Sequence, residues 1–119
     1  MPPFLTPEWI DALPGAVGAV SAPDAVVAVE VGSTKFAVVV RDGALVEATA
    51  GHRAEAECTF TATVKDAQSI MNGEVAPDTA FMQGRLKAAG AMDTVLALLK
   101  WSAGEDFASA RARVQAVTD

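Results

Sequence analysis

The chain has 119 residues, 51% of them apolar, a formal net charge of −6 and a sequence pI near 4.6. That length fits one domain over residues 1–119, burying roughly two-thirds of its unfolded surface. Its nine basic residues are scattered, which disfavours nucleic acid, whose phosphates demand clustered Lys and Arg, and also disfavours stable attachment to an anionic membrane.

No apolar run approaches the roughly 20 residues needed to span a bilayer, and the first charged residue, Glu8, comes too late for the basic region of a secretory signal. Cys58 is the only cysteine, so no internal disulfide is possible and a cytoplasmic location is expected.

Thr6, Pro7 and Glu8 supply an N-cap, a preset first dihedral and an acid suited to the helix dipole, predicting a short helix from Pro7 to about Leu13, stopped by Pro14 and Gly15. Trp9, Ile10 and Leu13 share one face of it. Residues from Gly15 to Asp24 read as loop or frayed helix.

From Ala25 to Val64 the apolar period changes to 2, the signature of strands with one buried face. Val27, Val29 and Val31 alternate with Val26, Ala28 and Glu30, and Phe36, Val38 and Val40 with Lys35, Ala37, Val39 and Arg41. Asp42 and Gly43 form a two-residue hairpin turn, and a third strand follows to about Ala50. A fourth places Cys58, Phe60, Ala62 and Val64 on one face and Glu57, Thr59, Thr61 and Thr63 on the other. The expectation is an antiparallel meander whose polar side faces water.

Asp66 is expected to cap a helix with Ala67, Ile70 and Met71 inward, ended by Gly73. Gly84 to Ala88 reads as a fifth strand with Leu86 inward. It leads through Gly90 into a helix that is apolar almost all round, where Asp93, Thr94 and Lys100 alone are left for water. A surface helix normally keeps one polar side, so both flanks of this one should be covered. After Gly104, a last helix carries a stripe of Phe107, Ala110, Val114 and Val117.

Catalytic chemistry finds little support. Acid-base or nucleophilic catalysis needs a nucleophile with a base in reach, but His52, the only histidine, follows Gly51 in a polar loop, and Cys58 faces inward as an apolar filler. No serine lies in a Gly-x-Ser-x-Gly setting. Glu55 and Glu57 share a side of an extended segment, but with one His and one Cys there is no metal-ligand set, and solvated strand acids are expected. The chain is read as non-catalytic, with no metal and no cofactor.

What remains is the apolar constellation. The stretch from Ala76 to Trp101, with Pro77, the Ala-Phe-Met-x-Gly run at Ala80 to Gly84, alternating Lys and Leu, then Gly90, resembles the closing half of the sterol carrier protein type 2 domain family. The resemblance reaches back less sharply to Ala25. An acid commonly follows the second glycine in that family, whereas Ala91 stands there in this chain. The bias to Ala and Val with few Lys suggests a small stand-alone member from a GC-rich bacterial genome.

The resemblance and the periodicity together imply an α+β fold, a five-stranded mainly antiparallel sheet with helices packed on one face enclosing a hydrophobic cavity. It implies a non-catalytic binding or transfer function for a sterol, fatty acid or fatty acyl-CoA. The expected lining is Phe60, Ile70, Met71, Met82, Leu86, Met92, Val95, Leu96 and Leu99, with Phe36 and Val38 as weaker additions. Met71, Met82 and Met92 could repack around varied shapes. The helices at Leu96 and Phe107 are expected to move during uptake, since Gly90 and Gly104 flank the first of them, and Leu96→Glu is expected to abolish binding. The alternative is an accessory dimerisation or substrate-docking module for a partner enzyme, using the outer side of the Leu98 and Trp101 helix.

Overall fold

A computed structural model describes residues 4–51 and 54–118. The first helix, α1 (Pro7–Val17), opens as expected: Thr6 Oγ1 accepts a hydrogen bond from the Trp9 amide at 3.3 Å, and Pro7 occupies the first turn. It does not stop at Pro14. One further turn carries Val17 into the core beside Trp9, Ile10 and Leu13, so tertiary burial outweighs the amide hydrogen bond that proline forfeits.

Five strands follow, β1 (Ala25–Val31), β2 (Thr34–Arg41), β3 (Ala44–Ala50), β4 (Cys58–Ala62) and β5 (Leu86–Gly90). Their order in the sheet is β3-β2-β1-β4-β5. The hairpin between β2 and β3 turns at Asp42 and Gly43, both at positive φ, as the dipeptide requires.

The meander ends at β3. Instead of joining β3, β4 pairs in parallel with β1, in the register Val27 opposite Cys58 to Val31 opposite Ala62, and every other pairing is antiparallel. The sequence Ala-Val-Val-Ala-Val-Glu-Val of β1 explains this. A nearly continuous apolar run suits a central strand covered on both faces, and a four-strand meander would have left β1 at an edge.

The helices occupy the inner face. On the outer face Val26, Ala28, Ala37 and Val39 are buried, and the Glu57 amide extends the β1–β4 ladder by donating to the Val26 carbonyl at 2.8 Å. The middle of the face expected to meet water is therefore covered, while its edges, at Lys35, Thr61 and Lys87, are exposed.

Beyond β4 the caps decide the boundaries. Helix α2 (Val64–Met71) starts earlier than expected: Thr63 is its N-cap and Asp66, the expected cap, sits a turn inside, its amide donating to Thr63 Oγ1 at 3.1 Å. Val64 consequently leaves the strand and is exposed. A six-residue helix, α3 (Pro77–Met82), has Pro77 in its first turn and Asp78 beside it. Two helices complete the chain, α4 (Met92–Ser102) and α5 (Glu105–Ala116).

The core falls into two clusters. One joins α1 and α5 to β2 and β3 through Trp9, Ile10, Leu13, Phe36 and Val114, and the other joins α4 to β1 and β4 through Ala25, Cys58, Val95 and Leu99. Val29 and Val38, at the centre of the inner face, pack against both and yet stay only half-buried.

Candidate ligand-binding cavity

Val29 and Val38 are half-buried because the space above them is unfilled. A cavity of about 350 Å³ lies between the inner face of the sheet and the helices. Its floor is built by period 2: Val27, Val29 and Val31 of β1, Phe36, Val38 and Val40 of β2, Phe60 and Ala62 of β4, and Leu86 of β5. The walls come from Trp9 and Val17 of α1, Ala67, Ile70 and Met71 of α2, Leu98, Leu99 and Trp101 of α4, and Phe107, Ala110 and Val114 of α5.

Among the lining side chains only those of Ser102 and Arg111 combine polar atoms with no aromatic ring. The Ser102 hydroxyl is already spent on the Leu99 carbonyl at 2.7 Å. The two indole N–H groups are also spent, Trp9 Nε1 donating to Thr118 Oγ1 and Trp101 Nε1 to the Val20 carbonyl, both at 2.8 Å. The rings thus present apolar faces to the cavity, held by edge-to-face contacts with Phe36 at 5.9 Å for Trp9 and Phe107 at 5.4 Å for Trp101. A space so lined offers a ligand little besides burial of apolar surface.

Of the residues expected to line it, Phe60, Ile70, Met71, Leu86 and Leu99 do so, as do Phe36 and Val38. Val95 is fully buried instead, packed with Ala25 and Cys58. Met82, Met92 and Leu96 point away, at 77%, 49% and 57% exposure. On α4 the inward stripe is Val95, Leu98, Leu99 and Ser102, and Leu96 and Met92 lie together on an adjacent face. The second flank of α4 is accordingly uncovered, contrary to expectation. Met82 is the final residue of α3, whose buried side chains are Pro77 and Ala80.

Sequence reasoning missed the share of the cavity built by the chain ends: Phe4, Leu5, Trp9 and Val17 before the sheet, Phe107, Ala110, Arg111 and Val114 after it. The apolar stripes of α1 and α5 were visible, but nothing local aimed them at a shared space.

The Cys58 thiol is buried and its pKa is raised, first by burial and then by the neighbouring Glu57 carboxylate. It is therefore a poor nucleophile at neutral pH. His52 lies outside the described residues. Among the described residues no three His, Cys, Asp or Glu side chains gather as a metal site, and no helix is long and apolar enough to cross a membrane.

Comparison with known proteins agrees with this fold. A conserved hypothetical protein from Thermus thermophilus superposes with a TM-score of 0.71 at 24% identity, over 92% of this chain and 89% of the other. A crystal structure of sterol carrier protein 2 superposes with a TM-score of 0.70 at 25% identity, over 91% and 97%. A palmitated SCP2L2 from Aedes aegypti gives 0.63 at 20% identity, over 82% and 90%. No curated protein sequence matches significantly. The model of the SCP-2 sterol transfer family matches residues 11–100, and the chain belongs to that family.

Proposed function

We propose that this protein is a non-catalytic carrier that takes up a lipid-like molecule, a sterol, fatty acid or fatty acyl-CoA, in the cavity above Val29 and Val38. The observation that carries this reading is a space of about 350 Å³ walled almost wholly by apolar side chains, within the roughly 300–1,000 Å³ of small-molecule sites. Membership of a lipid-binding family and the palmitated state of the Aedes aegypti protein support it.

The driving force is burial. A methylene leaving water contributes about 0.8 kcal/mol, so a sixteen-carbon chain gains about 13 kcal/mol. Association costs at least about 4 kcal/mol, leaving up to about 9, enough for micromolar binding. No chemical step is needed, and the protonated Cys58 supplies none.

Titrating delipidated protein with a fluorescent fatty-acyl probe, then displacing it with sterol, fatty acid and acyl-CoA, tests the reading. Saturable micromolar binding with selective displacement is the expected result. Absence of binding by folded protein would overturn it.

A further inference from the structure

We propose that Arg111, together with the amide-lined pocket beside it, holds the head of the ligand, so that the cavity selects a single-chain fatty acid through its carboxylate. This rests on the cavity reading above and names the ligand within it.

Arg111 is the one charged side chain among the cavity's lining residues. Its guanidinium is half-buried at the seam between α2 and α5, and it is held still: Nη1 donates to the Met71 carbonyl at 2.9 Å and to Gln115 Oε1 at 3.2 Å. The group lies flat against Gly73, where a Cβ would come within 3.2 Å of its central carbon. The φ of +79° there favours glycine.

Both hydrogen bonds use Nη1, and among the described residues no carboxylate lies within ion-pair distance. A guanidinium carries five donors in a planar fork, so Nε and Nη2 keep an edge with the geometry of bidentate carboxylate recognition. Among the described residues nothing neutralises the positive charge, which stands beside an otherwise apolar space. An uncharged sterol would leave it without a counter-charge.

A second pocket of about 270 Å³ adjoins the cavity, sharing Phe4 and Met71 as walls, and it is lined by Gln68, Asn72, Gln115 and Thr118. Gln115 and Asn72 are already bonded to each other at 3.2 Å. One turn of α5 therefore carries both Arg111 and Gln115, one facing the apolar space and the other the polar one. A chain whose tail lies over Val29 and whose head reaches Arg111 would pass from apolar to polar surroundings where its own chemistry changes.

The test compares hexadecanoic acid with its methyl ester, in wild type and in Arg111→Gln and Arg111→Lys, by calorimetric titration of delipidated protein. The expected result is an acid bound at least tenfold more tightly than the ester by wild type. Arg111→Gln should lose that preference, and Arg111→Lys, keeping the charge without the fork, should lose part of it. Equal affinity of wild type for acid and ester would overturn the proposal, as would an acid-over-ester preference that survives Arg111→Gln undiminished, which marks Arg111 as structural. The wild-type comparison needs no variant to fold. If wild type binds neither ligand, the cavity reading falls first and this one with it.

Discussion

The guanidinium of Arg111 reaches from α5 to the carbonyl of Met71 across 2.9 Å, closing the last turn of α2 against the far side of the cavity. Apart from this bond and the Asp66–Arg85 pair, α2 is held weakly, since none of its side chains is fully buried. Helix α4, expected to move, is anchored by Val95, Leu98 and Leu99.

We therefore expect α2, rather than α4, to open for the ligand. The amides of α2 should exchange with deuterium markedly faster than those of β1 and α4, and bound ligand should slow them, because segments with few buried contacts open at low free energy. Hydrogen exchange resolved by residue checks this. Protection of α2 equal to that of β1 in the ligand-free protein would contradict it.

Leu96 and Met92 face away from the cavity. Leu96→Glu and Met92→Gln are accordingly expected to leave lipid affinity within about twofold of wild type and stability within about 0.5 kcal/mol, as for surface substitutions generally. Probe titration and urea denaturation measure the two effects. A tenfold loss of affinity in a folded Leu96→Glu protein would return the cavity mouth to α4.

Gly90 joins β5 to α4 at a φ of +109°, and a Cβ there would stand 2.6 Å from the Glu57 carbonyl oxygen and 2.8 Å from Cys58 Cα. Backbone, which yields poorly, would have to shift. Gly90→Ala should cost about 2–4 kcal/mol, from strain at a backbone conformation closed to L side chains plus displacement of the β4–β5 pairing. A loss below about 1 kcal/mol by urea denaturation would show that the junction is not rigid.

Asp66 binds Arg85 Nε at 2.9 Å, tying α2 to the approach to β5. That hydrogen bond is the main cause of a carboxyl pKa held below its ordinary value of 3.8. A lowered folded pKa means that the unfolded chain binds more protons through this range, so stability rises with pH. The contribution is complete above about pH 5 and is lost as pH falls through 3.8 and below. The urea midpoint of wild type should exceed that of Asp66→Asn at neutral pH, and the gap should shrink below about pH 4. A gap independent of pH would show that the pair contributes nothing through charge.

Much of this architecture is legible in the chain because its signals are local. Alternation from Val27 to Val40 and the Asp42-Gly43 turn define two hairpin strands and their inward face before any tertiary contact is known. The position of β4 is not local: whether Cys58 lies beside Ala50 or beside Val27 depends on which strand most needs a second neighbour, and the apolar run of β1 is the one signal that bore on it. Helix α3 is too short to display a period.

At the site, the same rule separates the residues. Phe60 and Leu86 sit where strand alternation puts them. On α4, apolar residues cover more than one side, so period alone cannot choose between the stripe of Leu98 and Leu99 and that of Met92 and Leu96. Arg111 and Trp9 reach the cavity from opposite ends of the chain, a relation that no window of sequence contains.

The function proposed for this protein depends on whether the space above Val29 and Val38 holds the ligand. Ala67, on the loosely held α2, lines that space and is half-buried, so Ala67→Phe would place a ring in it with little disturbance of the sheet. Both tryptophans of the chain line the cavity, so their emission reports its contents directly. When delipidated wild type and Ala67→Phe are titrated with hexadecanoic acid, the expected result is a saturable change in emission for wild type and at least a tenfold weaker response for a variant that unfolds at a similar urea concentration. Undiminished affinity in that folded variant would place the ligand elsewhere and contradict the central claim.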